Sequence, residues 1–406
     1  MNCKKRKGNH KFGFGGMMEM IYIAKDIPLW QVTIWDKKFN NVDKKWQPKT
    51  IKYKYLLSDE LDSLRVDDGD VRILYTGKDV GFTTEELAGD RLSEGEIISI
   101  PWGGIPTVKY HKGKFVTGDN RIATSKDINK LTNKYLYYFM RGNIHEIASY
   151  YRGASLKHPC MKDILKMTIS YPSVQEQDKI CGQFDVLEQI IEVRKQELQL
   201  LDDLIKARFV EMFNLSDCIY KSLGECTDFV DYRGHTPELS DEGIIRMVNA
   251  KSVGKGFFKY VDEFVTEETY DAWMHRGFGY PGDILFVTEG HTFGNTCLIP
   301  EDMTKFALGQ RVITIKGKEE IKNAFLCSYM QTDMFWKDIN VYRTGGTAQG
   351  IRSKDLVKVM VPIPPIEQQI EFVRFVHKVD KSKVAVQKAL DETQMLFDSL
   401  MQKYFG

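Results

Sequence analysis

The chain has 406 residues, 57 Lys and Arg against 56 Asp and Glu, a net charge of +1 and 42% apolar side chains. This balance excludes an intrinsically disordered polyion and leaves two to four ordinary globular domains. No run of eighteen apolar residues is present to cross a bilayer. The seven cysteines form no CxxC pair and no His spacing that suggests zinc, so they are expected to be reduced thiols in a cytoplasmic protein without a metal.

The N-terminus, with Lys4, Lys5, Arg6 and Lys7, has no apolar h-region behind it and reads as a solvated tail over residues 1–20. Gly13, Gly15 and Gly16 do not form a GxGxxG loop and follow no strand. A globular segment then runs to about Tyr171. Strands are expected over Gln31–Trp35, Val71–Tyr75, Ile97–Ile100 and Thr107–Tyr110, with breaks at Gly103-Gly104, Gly113 and Gly118. A helical stretch, Lys130–Tyr150, precedes a loop over Tyr151–Pro159. Trp30, Trp35, Trp273 and Trp336 are expected in cores.

Pro172 and Ser173 then open a long helix. Phe184, Leu187, Ile191, Leu198, Leu201, Ile205 and Met212 step by four and three, with polar gaps at Arg194 and Arg208, which is a heptad seam. Ile180, Ile190, Leu200, Leu204 and Phe209 widen the apolar stripe, so packing on more than one neighbour is expected. About forty helical residues span roughly 60 Å. Residues 173–213 hold nine acidic against five basic residues, so this helix is not a phosphate-binding surface. A second globular segment follows Asn214–Asp217, with strands expected over Ile244–Val248, Ile284–Thr288, Thr296–Ile299 and Arg311–Ile315. A second long helix closes the chain, with Ile370, Val373, Val376, Val379, Val386, Leu390, Phe397, Leu400 and Tyr404 on its apolar face.

The halves are copies. Pro172-Ser173-Val174-Gln175-Glu176-Gln177 corresponds to Pro364-Pro365-Ile366-Glu367-Gln368-Gln369, and Phe213 to Phe405, at one offset of 192 (364 − 172 and 405 − 213). Gly95 with Gly282, Tyr151 with Tyr342 and Asp163 with Asp355 extend the match at offsets drifting from 187 to 192. A repeat of this length dictates the architecture. The expected fold is α+β: a globule over 1–172, a long helix over 173–214, a globule over 215–363 and a long helix over 364–406. The helices pair as an antiparallel coiled coil, hold the globules at opposite ends and give a pseudo-twofold body.

Catalytic signatures are missing. There is no GxxxxGK[ST], no HExxH after His145-Glu146, no GxSxG and no Asn-Pro-Pro-aromatic run. A non-catalytic binding role is therefore expected.

The two Pro-x-x-x-Glu-Gln openings, with Gly345-Gly346-Thr347-Ala348-Gln349-Gly350-Ile351 and Val361-Pro362-Ile363 upstream of the second, resemble the specificity subunits of type I restriction–modification systems. The first half departs by carrying Lys157 where the loop has Gln349. The resemblance implies that each globule is a target recognition domain reading one half of a bipartite, asymmetric site in double-stranded DNA. It implies that the helices set the gap and dock two adenine-N6 methyltransferase subunits, and that translocating restriction subunits join. S-adenosylmethionine, ATP and Mg2+ would then belong to partner subunits, with no cofactor on this chain. Two rivals stand beside this reading: the recognition half of a single-chain restriction–methylation enzyme, and a coiled-coil adaptor without DNA contact.

Base readout uses donors and acceptors on loops that reach a groove. The candidates in the first half are Lys78, Trp102, Asn120, Arg121, Lys157 and His158. In the second they are Tyr232, Arg233, His235, Asn249, Lys251, Thr288, His291, Thr292, Arg311, Gln349 and Arg352. Glu289 is an acceptor that suits a cytosine amino group.

Overall fold

The structure, a computed structural model, describes residues 21–36, 51–77, 80–215, 218–232, 236–344 and 349–406. The N-terminal tail and its glycines lie outside the described residues. The chain forms two compact units. Unit 1 combines residues 1–192 with 391–406, and unit 2 is residues 193–390, so each long helix contributes to both.

Unit 1 is built on a six-stranded sheet. Its strands are β2 (Thr33–Trp35), β3 (Val71–Leu74), β4 (Val80–Thr83), β5 (Ser93–Pro101), β6 (Lys109–Thr117) and β7 (Asn120–Ser125), and β1 (Ala24–Pro28) lies outside it. The order is β2-β7-β5-β6-β3-β4, antiparallel except where β3 runs parallel to β6. Val71, Ile73, Val116 and Ile122 fill its core because strand side chains alternate between faces. The expected helix over Lys130–Tyr150 is two helices, Asn133–Gly142 and Ile144–Ser149. The break follows from the next contact. A Cβ on Gly142 would meet Phe405 at 2.9 Å, and Asn143 Nδ2 donates to the Phe405 carbonyl at 3.0 Å. The expected loop over Tyr151–Pro159 is a hairpin of β8 (Tyr151–Arg152) and β9 (His158–Pro159). β10 (Thr168–Tyr171) then pairs with β1.

Unit 2 repeats this plan. β11 (Ile219–Ser222) pairs with β19 (Met360–Ile363), as β1 does with β10. β12 (Thr227–Asp231), β15 (Ile284–Val287), β16 (Thr296–Leu298) and β18 (Val312–Gly317) form a sheet of order β12-β18-β15-β16. β13 (Ile245–Val248), β14 (Phe264–Val265) and β17 (Phe306–Leu308) form a second, of order β14-β13-β17. The long β6 of unit 1 corresponds to β16 and β17 together, which residues 299–305 hold apart. Two apolar cores result, one around Phe286, Ile313 and Phe325 and one around Met247, Leu285 and Leu308.

The long helices are Val174–Met212, here the central helix, and Ile366–Phe405, the C-terminal helix. In unit 1, Phe184 of the central helix meets Phe397 and Phe405 of the C-terminal helix at ring distances of 5.3 and 5.9 Å. In unit 2, Asp202 bonds Lys383 at 2.6 Å and Arg208 bonds Glu371 at 3.2 Å. A later residue on one helix meets an earlier one on the other, so the pairing is antiparallel. The widened stripe is corrected in part. Ile180 and Phe209 are buried, but Ile190, Leu200 and Leu204 are exposed because the heptad turns them away from the partner helix.

The Glu-Gln openings have a physical reason. Gln177 is fully buried. Its Oε1 accepts from Thr132 N at 2.9 Å, and its Nε2 donates to the carbonyls of Lys130 and Pro172. Gln369 repeats each bond, to Lys322 N at 2.8 Å and to the carbonyls of Glu320 and Pro364. One amide thus caps the N-terminus of a domain helix and ties it to the start of a long helix. Asn133 and Asn323 form a second repeated tie, accepting from Ser125 N and Gly317 N at 2.6 Å and donating to the carbonyls of Glu96 and Gly282. This equates Glu96 with Gly282, one residue away from the match of Gly95 with Gly282 read from sequence.

Candidate nucleic-acid interface

At one edge of each unit the strand ends gather four loops into a common backbone frame. In unit 1, Gly118 N bonds the Leu74 carbonyl at 3.0 Å, Trp102 N bonds that of Asp119 at 2.9 Å, and Gly104 N bonds that of Lys157 at 3.2 Å. In unit 2, Gly309 N bonds the Val248 carbonyl at 2.8 Å, Thr288 N bonds that of Arg311 at 2.8 Å, and Gly290 N bonds that of Gln349 at 2.9 Å. Gly104 and Gly290 both take positive φ, 95° and 98°, which glycine tolerates without strain. Arg152 pairs with His158 across one hairpin, and Thr344 with Gly350 across the other. Lys157 and Gln349 therefore occupy equivalent places, both exposed. Arg152 aligns with Thr344, one residue from the sequence match.

The frame is shared, but its side chains differ. In unit 2, Lys251, His291, Arg311, Gln349 and Arg352 are exposed and Thr292 is half-buried. Arg311 Nε donates to Glu289 Oε1 at 3.0 Å. Lys251 pairs with Glu263, and Asn249 Nδ2 donates to the same carboxylate at 2.6 Å. These donors, with the lysine hydrogen bond the larger effect, hold the Glu263 carboxyl below its usual range. Arg352 is the N-cap residue of the short helix Ser353–Leu356, where its carbonyl accepts from Asp355 N and Leu356 N at 2.9 Å and its side chain makes no cap bond.

In unit 1, Lys157 is exposed and Arg152 pairs with Asp163 at 2.9 Å. His158 and Trp102 are half-buried and hold each other, through a 2.7 Å bond from the His158 Nδ1 to the Trp102 carbonyl. The Lys109 ammonium binds the Tyr75 and Gly77 carbonyls and pins that turn. Ile105 and Leu156 are exposed beside this hairpin, 79% and 55% accessible. Sequence reasoning did not single them out, since an exposed apolar residue leaves no signal until a fold shows what it faces.

Four expected contacts are corrected. Arg121 is 1% exposed, bonded to Asp36 at 2.9 Å and to Asp119, with its guanidinium 4.7 Å from the centre of the Trp102 ring. Register places it opposite Ile100 on β7, where β18 carries the core residue Ile313, so it sits inside the sheet and not on a loop. Asn120 is buried and donates to the Leu74 carbonyl at 2.8 Å and to Thr117. Tyr232 is buried, its hydroxyl donating to the Gly277 carbonyl and accepting from Arg276 N. Thr288 is fully buried and donates to the Arg311 carbonyl. These side chains are buried and bonded within the frame instead of being presented on its loops. Lys78, Arg233 and His235 lie outside the described residues.

Among the described residues no group of three or more His, Cys, Asp and Glu could hold a metal ion, and no helix is long and apolar enough to cross a membrane. The exposed Lys251, His291, Arg311, Gln349 and Arg352 offer hydrogen-bond donors and acceptors at the edge.

Residues 62–202 and 229–393 match the family model of the type I restriction modification DNA specificity domain. The chain belongs to that family. It is 22% identical over 340 residues to the type I restriction enzyme EcoDI specificity subunit of Escherichia coli, covering 74% of each chain. It is 24% identical over 280 residues to the EcoR124I/EcoR124II specificity subunit of the same organism, covering 64% of this chain and 66% of that one. The crystal structure of the type I restriction-modification system S subunit from M. genitalium has a similar fold, with a TM-score of 0.59 at 17% identity over 96% of this chain and 97% of that one. This specificity subunit matches the domain twice, and the repeated edge lies in both copies.

Proposed function

We propose that this specificity subunit is the non-catalytic reader of a bipartite, asymmetric DNA site, one half read by the loop edge of each unit. The observation that carries this is the four-loop frame built twice with the same backbone bonds and unlike side chains. A kept frame presents loops to a groove in the same way, while Lys157 against Gln349 and Arg152 against Thr344 select different bases.

The long helices set the separation between the half-sites and dock two adenine-N6 methyltransferase subunits, to which restriction subunits add. S-adenosylmethionine, ATP and Mg2+ act on those partners. Support for docking comes from apolar side chains turned away from the helix pair: Val193, Leu200 and Leu204 on the central helix are 58%, 67% and 47% exposed, and Val384 on the C-terminal helix 70%. Exposed apolar residues at heptad spacing fit a partner helix or groove.

The cations at each edge also bear on assembly. Lys251 and Arg152 are each held by a carboxylate, so DNA must displace those partners. The isolated chain is therefore expected to bind DNA weakly and the assembled complex tightly. Gel-shift titration with and without the methyltransferase subunits tests this. Equal affinity in both would contradict it.

A further inference from the structure

Resting on the reading of unit 2 as a DNA reader, we propose that Arg311 and Glu289 act as one base-reading pair that specifies a guanine and a cytosine at the adjoining position in the half-site of that unit. The geometry is more than a surface ion pair. Arg311 takes φ +69°, a left-handed conformation disfavoured for a residue with a side chain. Its own carbonyl holds it there, accepting from Thr288 N at 2.8 Å and from Thr288 Oγ1 at 3.2 Å. Strain of this kind persists where the surroundings over-determine it, and it concentrates at functional sites.

Glu289 is fixed just as firmly. It bridges Gly350 of the hairpin, while Thr288 before it accepts from Ile351 N at 2.9 Å and Gly290 after it donates to Gln349. The pair thus ties three of the four loops, yet both side chains remain 52% exposed. The bond to Glu289 uses the Nε of Arg311, which leaves the terminal nitrogens of the guanidinium for a further acceptor. A guanidinium fork donates to O6 and N7 of guanine, and a carboxylate accepts from N4 of cytosine. Holding Arg311 through Nε also orients the fork before DNA arrives, which reduces the ordering cost on binding.

Unit 1 supplies an internal comparison. Asp119 stands where unit 2 has Arg311, and Gly103 where it has Glu289, so the forked pair belongs to one reader only. The two half-sites should therefore differ in their dependence on guanine N7.

The test uses the complex of this chain with its methyltransferase subunits and duplexes in which each guanine of the site is replaced singly by 7-deazaguanine. Methylation rate at subsaturating DNA is the readout. The expected result is a loss of about 5- to 100-fold at one guanine in one half-site. With Arg311→Ala the rate on unmodified DNA falls by a similar factor, and the same deazaguanine then costs nothing further. Glu289→Gln relaxes the choice of cytosine at the adjoining position. The wild-type arm decides even where a variant does not fold: no sensitive guanine in either half-site overturns the proposal. So does an Arg311→Ala effect that is equal at every base, which marks a phosphate contact. Absence of any sequence-specific methylation by the complex would instead remove the DNA-reading function itself.

Discussion

Single side chains separate framework from reader at this edge. Arg121 carries its charge at 1% exposure and is compensated by Asp36 and Asp119. Removing one member of a buried pair leaves an uncompensated charge, a cost of about 3–5 kcal/mol. Arg121→Ala is expected to lower the unfolding free energy by that amount, as measured by denaturant titration, and a change near zero would contradict its framework role. Gln177 and Gln369 each satisfy one N–H and two carbonyls from full burial. Each change to Ala should cost roughly 2–4 kcal/mol by the same assay. The sequence made the glutamines visible as a repeat but not their job, because an amide that bonds across some 45 residues leaves no local pattern. It made Lys157 and Gln349 visible as counterparts, and the bonds from Gly104 and Gly290 place them so. Arg121 was misread because Gly118-Asp119-Asn120 looks like a turn that continues, whereas β7 begins at Asn120.

Among the elements, the long helices were the most legible, since a heptad seam is a local signal. The strands were legible only in part: β6 runs from Lys109 to Thr117 where Thr107–Tyr110 is expected, because its outer half alternates through Lys, His and Gly, while Gln31 and Val32 of the strand expected over Gln31–Trp35 lie in a helical turn. The pairings of β1 with β10 and β11 with β19 were invisible, being set by partners about 140 residues away. The helix pair carries a titrating group. Asp380 has a raised pKa, chiefly through burial and also through Asp202, while Lys383 and His377 oppose the shift. The folded state therefore takes up this proton more readily than the unfolded chain. The charged carboxylate costs stability near neutrality, and the cost is relieved as pH falls through the raised value. Asp380→Asn should raise the thermal midpoint at about pH 7, with the gain shrinking toward about pH 4. A lower midpoint at neutral pH would contradict this. Leu200→Asp with Leu204→Asp should leave the thermal midpoint within a few degrees and abolish co-purification with a methyltransferase subunit. Retained co-purification would place the docking surface elsewhere.

For the whole molecule, duplication explains why so much of the plan could be read from one chain. A constant offset of 192 over a long helix reveals two units before any strand is assigned, and the same family domain matches both copies. The loops that distinguish the copies are the part that sequence comparison within the chain cannot align, as the drift from 187 to 192 shows. Insertion of about four residues, one helical turn, into the central helix should change the gap between half-sites or abolish modification.

The most direct test is to map methylated bases across the genome of cells expressing this chain with its methyltransferase subunit. The account predicts N6-methyladenine within one motif of two unlike defined halves separated by a fixed run of undefined bases. It further predicts that exchanging only the unit 2 edge loops changes one half and leaves the other half and the gap intact. A single uninterrupted motif, or an exchange that alters both halves together, would contradict it.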